Sequence, residues 1–306
     1  MSITHFTPKR LSNDICLKKS YKSLLFSLVL SVFFFIRPIT AEPRNSILTC
    51  PIGSIIYVDA SASGLNDGSS WLNAFKDLQA ALSLATFSNI SEIDVAKGTY
   101  KPTATTDRTI SFSMINDVKI LGGFPSGGGA RDWINNVTTL SGDIGMIDIK
   151  TDNSDSVVSS TNLNNTAILD GFTITGGYNN YLGNGGGLYN LHSSPILSNI
   201  IFSNNSATYY GGGMYSGLFS YPKLSAITFS NNSAFDSGGG LYIASSNPTL
   251  TNVTFANNFA FNAGGGMFCE SSSPTLSHVT SQIILPKVAV ESIIVIQLSL
   301  LMMFPS

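Results

Sequence analysis

Four aspartates, Asp143, Asp148, Asp152 and Asp155, fall in one short stretch that also carries Asn153 and Ser154. Carboxylate, amide and hydroxyl oxygens at this density can ligate Ca²⁺, which takes oxygen donors in flexible geometries. No glycine-anchored loop of the EF type surrounds them, so a solvated polar loop is the competing reading. Elsewhere ionisable groups are sparse. Between residues 161 and 280 the only charged side chains are Asp170, Lys223, Asp236 and Glu270. They differ in repeat phase, so no carboxylate pair for general acid–base work is evident, and each reads as solvated or turn-bonded. His192 and His278 have no cysteine, histidine or carboxylate at ligand spacing, which argues against a transition-metal site. No nucleophile-elbow motif picks out one serine among many. The pattern Gly-x-Gly-Gly-Gly at 183–187 invites a phosphate-cradle reading, but no Lys and no helix follow it. Catalytic residues and cofactors are therefore expected to be absent.

The elements that position these residues follow from composition and repetition. Of 306 residues, 43% are hydrophobic, 11% are charged, and net charge is −2. That excludes a nucleic-acid partner, which needs clustered Lys and Arg. Gly triplets begin at 185, 211, 238 and 264; Pro195, Pro222, Pro248 and Pro274 keep nearly the same step. Phe202, Phe229 and Phe255 each precede x-Asn-Asn, giving Asn205, Asn232 and Asn258. Leu197, Leu224 and Leu250 each lie five residues before the Phe, and a degenerate copy runs from Leu169 to Ile174.

A unit of 26 to 27 residues holding only short β-branched strands and tight turns cannot bury its apolar groups alone and must stack on its neighbours. Strands one repeat apart then run parallel, about 4.8 Å apart. The expectation is an all-β, right-handed parallel β-helix with 161–280 as regular coils. Leu, Ile/Val (200, 227, 253) and Phe form interior columns. Asn205, Asn232 and Asn258 form a side-chain ladder at a turn and take the left-handed backbone there. The Gly triplets mark a bend where backbones approach closely.

Residues 55–160 read as a cap and irregular first coils. Phe75, Leu78, Leu82 and Ala85 share one face of a short helix, 74–86, suited to plugging the open end. Strands are expected at 55–58, 93–95, 110–114, 118–121, 138–141 and 157–159.

Phe-x-x-Asn coupled to a Gly-Gly pair once per coil resembles the repeat of bacterial polymorphic outer membrane proteins, with a third Gly where that family has Ala. Segments such as Tyr57-Val58-Asp59-Ala60, Lys97-Gly98-Thr99-Tyr100, Leu121-Gly122-Gly123-Phe124 and Leu169-Asp170-Gly171-Phe172 resemble large secreted bacterial proteins of pectin-lyase-like fold. The resemblance spans about residues 55–280 and implies export, with display at the outer membrane or release. It leads to a non-enzymatic scaffold in adhesion or recognition of glycans or cell-surface proteins. The alternatives are a polysaccharide lyase or glycoside hydrolase, and a nonfunctional fragment. Lyase or hydrolase chemistry needs a carboxylate pair, or carboxylates around Ca²⁺ with a basic residue. Tyr178, Tyr181, Tyr209, Tyr210, Phe219 and Tyr221 cluster at turns, where they can stack on sugars or pack loops.

Both ends differ from the repeat. Lys9, Arg10, Lys18, Lys19 and Lys22 precede the apolar run 24–36, which reads as a signal peptide over 1–41 cleaved near Ala41–Glu42. An uncleaved anchor is the alternative, although the run is short for a span of about 20 residues. Cleavage would remove Cys16 and leave Cys50 and Cys269, not paired to each other. Residues 281–306 replace the expected next Phe-Ser-Asn-Asn with an apolar stretch. In a shifted frame, the codons permitted across Thr280 and Ser281 spell Phe and then another coil, so the tail reads as frameshifted, with a C-terminal anchoring region lost. The alternative is a genuine apolar tail, and the DNA sequence across Thr280 decides between them.

Overall fold

The computed structural model describes residues 55–282. The segment 1–41 read as a signal peptide, Cys16, Cys50 and the tail from residue 283 lie outside the described residues. The rest is a parallel β-solenoid of about seven turns with three parallel sheets and one short helix.

Sheet I holds the long strands Ile168–Thr175, Ile196–Ser203, Lys223–Ser230, Thr249–Ala256 and Thr275–Gln282, preceded by Ile55–Val58, Glu92–Ala96 and Lys119–Phe124. Sheet II stacks Phe112–Ser113, Val158–Thr161, Leu188–Leu191, Met214–Gly217, Leu241–Ala244 and Met267–Glu270. Sheet III is narrow, from Tyr178–Asn179 to Phe259–Ala260. Each regular coil runs from sheet II through sheet I to sheet III.

The registers place equal residues over one another. Leu197, Leu224 and Leu250 are direct partners, as are Phe202, Phe229 and Phe255. The Phe rings stack at 4.9 and 5.1 Å and are buried. Ser281 stands at the next position of the phenylalanine column.

Two details depart from the sequence reading. The inward residues Leu250 and Val253 are three positions apart, which strict alternation forbids. Asn252 between them has φ 54°, and its equivalents Gly171, Asn199, Ala226 and His278 also have positive φ. One left-handed residue per coil bends the long strand into two arms and resets its alternation. The asparagine pair divides its labour as well. Asn204, Asn231 and Asn257 take the left-handed backbone, not Asn205, Asn232 and Asn258. The latter three form the buried ladder. Asn205 Nδ2 donates to Asn232 Oδ1 (3.1 Å), and Asn232 Nδ2 donates to Asn258 Oδ1 (2.9 Å).

A second ladder joins sheet II to sheet I. The backbone N–H groups of Ser193, Ser220 and Ser246 donate to Ser220, Ser246 and Ser272 Oγ of the next coil, at 3.0 to 3.1 Å. The extra residue in the 27-residue step falls at Leu218-Phe219, two consecutive residues with positive φ and exposed side chains.

The helix is shorter than expected, Leu78–Ala85, capped by the Asp77 carboxylate on Gln79 N–H. It buries Leu78, Ala81, Leu82 and Ala85 in the core. Phe75 lies outside it, bridged to Val58. In the first turn the helix occupies the place that a sheet II strand takes later, packing on Ile55–Val58 and Phe112–Ser113.

Candidate functional site

The corner of sheet I is where this solenoid departs from repetition. Lys119–Leu121 pair with Ile168–Asp170, and Thr139–Ser141 pair with Thr173–Thr175. Residues 122–138 thus stand where the next coil has only Gly171 and Phe172. Of these, residues 125–137 form a loop that leaves the coil at its corner and folds back over the corners that follow. Beneath it runs a groove of about 280 Å³, lined by Trp133, Ile134, Val137, Gly171, Asn199 and Ile201 among others. Trp133, Ile134, Val137 and Ile201 are all exposed.

Arg131 fastens the loop. Its Nε donates to Gly122 O (2.6 Å), and one terminal nitrogen donates to Asp170 O (2.9 Å) and pairs with the Asp170 carboxylate. The guanidinium lies 5.2 Å from the Trp133 ring centre, a cation–π contact that fixes one indole face. Asp170 Oδ1 also accepts from Asn199 Nδ2 (3.1 Å). Asp170 is therefore an ion-paired side chain at the groove, not a turn-bonded one. Gly171 is required here, since a methyl group at its α-carbon would lie 2.8 Å from the backbone Gly122 O as well as against the Arg131 guanidinium.

Asp94 shares this neighbourhood. It lies on sheet I two strands from Asp170 along the column Asp94, Leu121, Asp170. It is buried, and its Oδ1 has no hydrogen-bond partner. Burial pushes its carboxyl up to about 6; Glu92 adds to the rise, and Arg131 pulls part of it back. The folded chain then holds a proton that the unfolded chain has released between about pH 4 and 6, so this group's contribution to stability falls as pH rises through that window. Asp94→Asn removes the buried charge. At pH 7.5 it is expected to raise stability by on the order of 2 kcal/mol. Below about pH 4 it should change little. Urea unfolding at the two pH values checks this.

The other sequence candidates do not form one carboxylate cluster. Asp155 pairs with Arg108 (2.9 Å), and Asp152 Oδ2 accepts from Met146 N–H (2.8 Å). Asp148 is exposed at φ 65°. Asp143 lies just after the strand Thr138–Ser141, at the start of the loop that carries Asp148 and Asp152. Among the described residues no three His, Cys, Asp or Glu side chains are grouped to hold a metal ion. His192 and His278 occupy left-handed corners, a conformation histidine tolerates. Asp236 accepts from Asn262 Nδ2 (3.0 Å), and Glu270 accepts from Tyr242 Oη (2.7 Å). Cys269 is a free thiol that burial pushes up to about 11, which makes it a poor nucleophile.

The turn aromatics separate into two groups. Tyr178 is flanked by Arg108 and Lys150, and Tyr210 packs on Tyr242 at 4.3 Å. Tyr181, Tyr209, Phe219 and Tyr221 are exposed. A further column, Tyr189, Tyr215, Tyr242 and Phe268, stacks ring on ring at 5.4 to 5.8 Å outside sheet II. Those rings face each other, and Tyr242 is buried, so the column does not present a stacking platform.

Sequence reasoning missed Asp94, Arg131 and Trp133, all in the irregular coils. A carboxylate inside the apolar strand Ile93–Val95 was the available signal. Comparison of the chain with protein-family models, with curated proteins and with solved structures returns no match.

Proposed function

We propose that this chain is an exported β-solenoid, displayed at the cell surface or released, that acts as a recognition scaffold for glycans. The observation that carries the reading is the exposed Trp133 indole held by Arg131 at the rim of the corner groove. One indole face is occupied, and the groove supplies apolar surface beside the polar groups of Thr173 and Asn199. Apolar contact with a few placed polar groups is what a sugar ring requires. The ladders supply rigidity, so the site is organised before ligand arrives and loses little conformational freedom on binding.

Trp133→Ala is expected to weaken glycan binding at least about tenfold, as loss of a central aromatic contact does. The unfolding midpoint should be nearly unchanged, because the ring is exposed. Titration against the ligands found by a glycan array measures both affinities; equal affinity for the two proteins removes the reading. For export, sequencing the N-terminus of the mature form should give Glu42 as the first residue.

A second reading is cleavage of the bound glycan. It is favoured by the protonatable Asp94 lying near Arg131 and Asp170, two carboxylates separated by one strand. A raised carboxyl can serve as general acid. Turnover on acidic and neutral polysaccharides, lost in Asp94→Asn, would establish it. Binding without turnover leaves the scaffold.

A further inference from the structure

The side loop between Thr138–Ser141 and Val158–Thr161 contains a concentration of buried oxygens with nothing to bind. Asp143 Oδ1, Asp152 Oδ1, Asn153 Oδ1 and Ser154 Oγ have no hydrogen-bond partner. Asn153 is only 7% exposed, and Ser154 is fully buried. Buried polar atoms are almost always paired, and an orphaned group marks a bound ion or water. Here the orphans gather in one loop, and all can accept.

Their surroundings hold them together. Asn153 Nδ2 donates to Gly176 O (2.6 Å), and Ser154 N–H donates to Gly142 O (2.8 Å). A methyl group at the Gly176 α-carbon would sit 3.4 Å from the Asp143 backbone nitrogen and 3.7 Å from Asn153 Nδ2, so the backbone that carries Asp143 runs beside the Asn153 side chain. Asp152 Oδ2 is fixed by Met146 N–H, leaving Oδ1 as the free atom. A methyl at Gly145 would lie 2.3 Å from Asp152 Oδ2, so the Asp152 carboxylate lies against Gly145. Nearby cations are committed elsewhere. Arg108 is spent on Asp155, Asn180 and two carbonyls, and Lys150 Nζ lies over the Tyr178 ring. Among the described residues neither Asp143 nor Asp152 has an ion-pair partner.

We propose that this loop binds Ca²⁺ through Asp143, Asp152 and Asn153, with Ser154 beside them. Two carboxylates and neutral oxygens, without thiol or imidazole, select a hard cation. The low ligand charge places affinity on the order of 0.1–1 mM, the range of extracellular modules. The ion would tie the loop to the third turn of the solenoid, independently of what the corner groove binds. Of the four aspartates singled out in the sequence, Asp143 and Asp152 belong to this site. Asp155 is neutralised by Arg108, and Asp148 points to solvent.

Thermal unfolding of the full chain in 10 mM Ca²⁺ and in EGTA tests the site. Ca²⁺ should raise the midpoint by about 3–6 °C, and Mg²⁺, which demands stricter geometry, should not. Asp143→Asn and Asp152→Asn should each abolish the shift, while Asp148→Asn keeps it. Equilibrium dialysis of the unmodified chain should find one Ca²⁺ per molecule, which keeps the test decisive if a variant fails to fold. No bound Ca²⁺, as expected if waters satisfy these oxygens, overturns the site. So does a shift that persists in the Asp143→Asn, Asp152→Asn double variant.

Discussion

Replacing Asn232 with alanine should cost about 3–5 kcal/mol and lower the unfolding midpoint by roughly 10 °C. Asn232 is the middle rung of the buried ladder. Its Oδ1 accepts from both the backbone N–H (3.0 Å) and the side-chain Nδ2 of Asn205. Its Nδ2 donates to Phe202 O (2.9 Å) and to Asn258 Oδ1. Alanine leaves the Asn205 backbone N–H and one of the two Asn205 Nδ2 hydrogens buried without partners, and removes one donor from Phe202 O. Each orphan costs about 1–3 kcal/mol, far more than the net gain of making the bond. The neighbouring Asn231→Ala should cost only about 1 kcal/mol, the strain of a left-handed backbone on an L-residue with a Cβ. Asn231→Gly should be close to neutral. Urea unfolding of the three variants separates the ladder from the corner, although the two residues are adjacent and identical.

Gly212→Ala should be at least as damaging, by about 3 kcal/mol or more. A methyl group there would lie 2.2 Å from Ser233 O and 2.7 Å from Gly239 O, both on the next coil. Gly186 and Gly239 meet the same obstacle in their own coils, at 2.2 Å from Ser206 O and Phe259 O. These contacts are backbone, so relief requires the coils to part and the parallel hydrogen bonds to stretch. Gly127→Ala is the control. Gly127 has φ 79° but nothing within 4 Å of a new methyl group, so only the local strain of about 1 kcal/mol remains. The comparison is read as urea midpoints and as yield of soluble protein.

Within a Gly triplet the three positions differ in kind. The first takes a left-handed φ, 66° at Gly211. The second, Gly212, touches the next coil. The third, Gly213, would press a methyl against Gly240 O at 2.5 Å and the Phe229 ring at 2.8 Å. That crowding is the physical reason for glycine at all three positions.

Legibility in the sequence follows repetition. Phe202, Phe229 and Phe255 recur at nearly constant steps because each must cover its counterpart, so the stacking could be read before any coordinates. The Ser193, Ser220, Ser246 and Ser272 ladder obeys the same spacing but is hidden among many serines. The bent strand was only half visible. The three-residue step from Leu250 to Val253 breaks alternation, and the left-handed residue that absorbs it is Gly, Asn, Ala or His in different coils. No residue type announces that corner. The groove was invisible for a different reason. Arg131 and Trp133 sit in a loop inserted once, at one corner, and meet Asp170 across 39 residues of chain. A period cannot place what occurs once. Asp94 and the orphaned oxygens of the side loop likewise depend on burial, which composition does not show.

The registry of the coils underlies all of these expectations, and disulfide trapping measures it directly. Thr228 and Thr254 are partners on adjacent sheet I strands with side chains on the outer face. Neighbouring strands are about 4.8 Å apart, within the span of roughly 4.4–6.8 Å that a disulfide bridges. Thr228→Cys with Thr254→Cys is expected to oxidise rapidly to an intramolecular disulfide, found by peptide mass spectrometry. Thr228→Cys with Ala256→Cys, offset by two residues, should oxidise far more slowly. Equal trapping of both pairs, or preferential trapping of the offset pair, would contradict the stacking of equivalent residues on which the whole account rests.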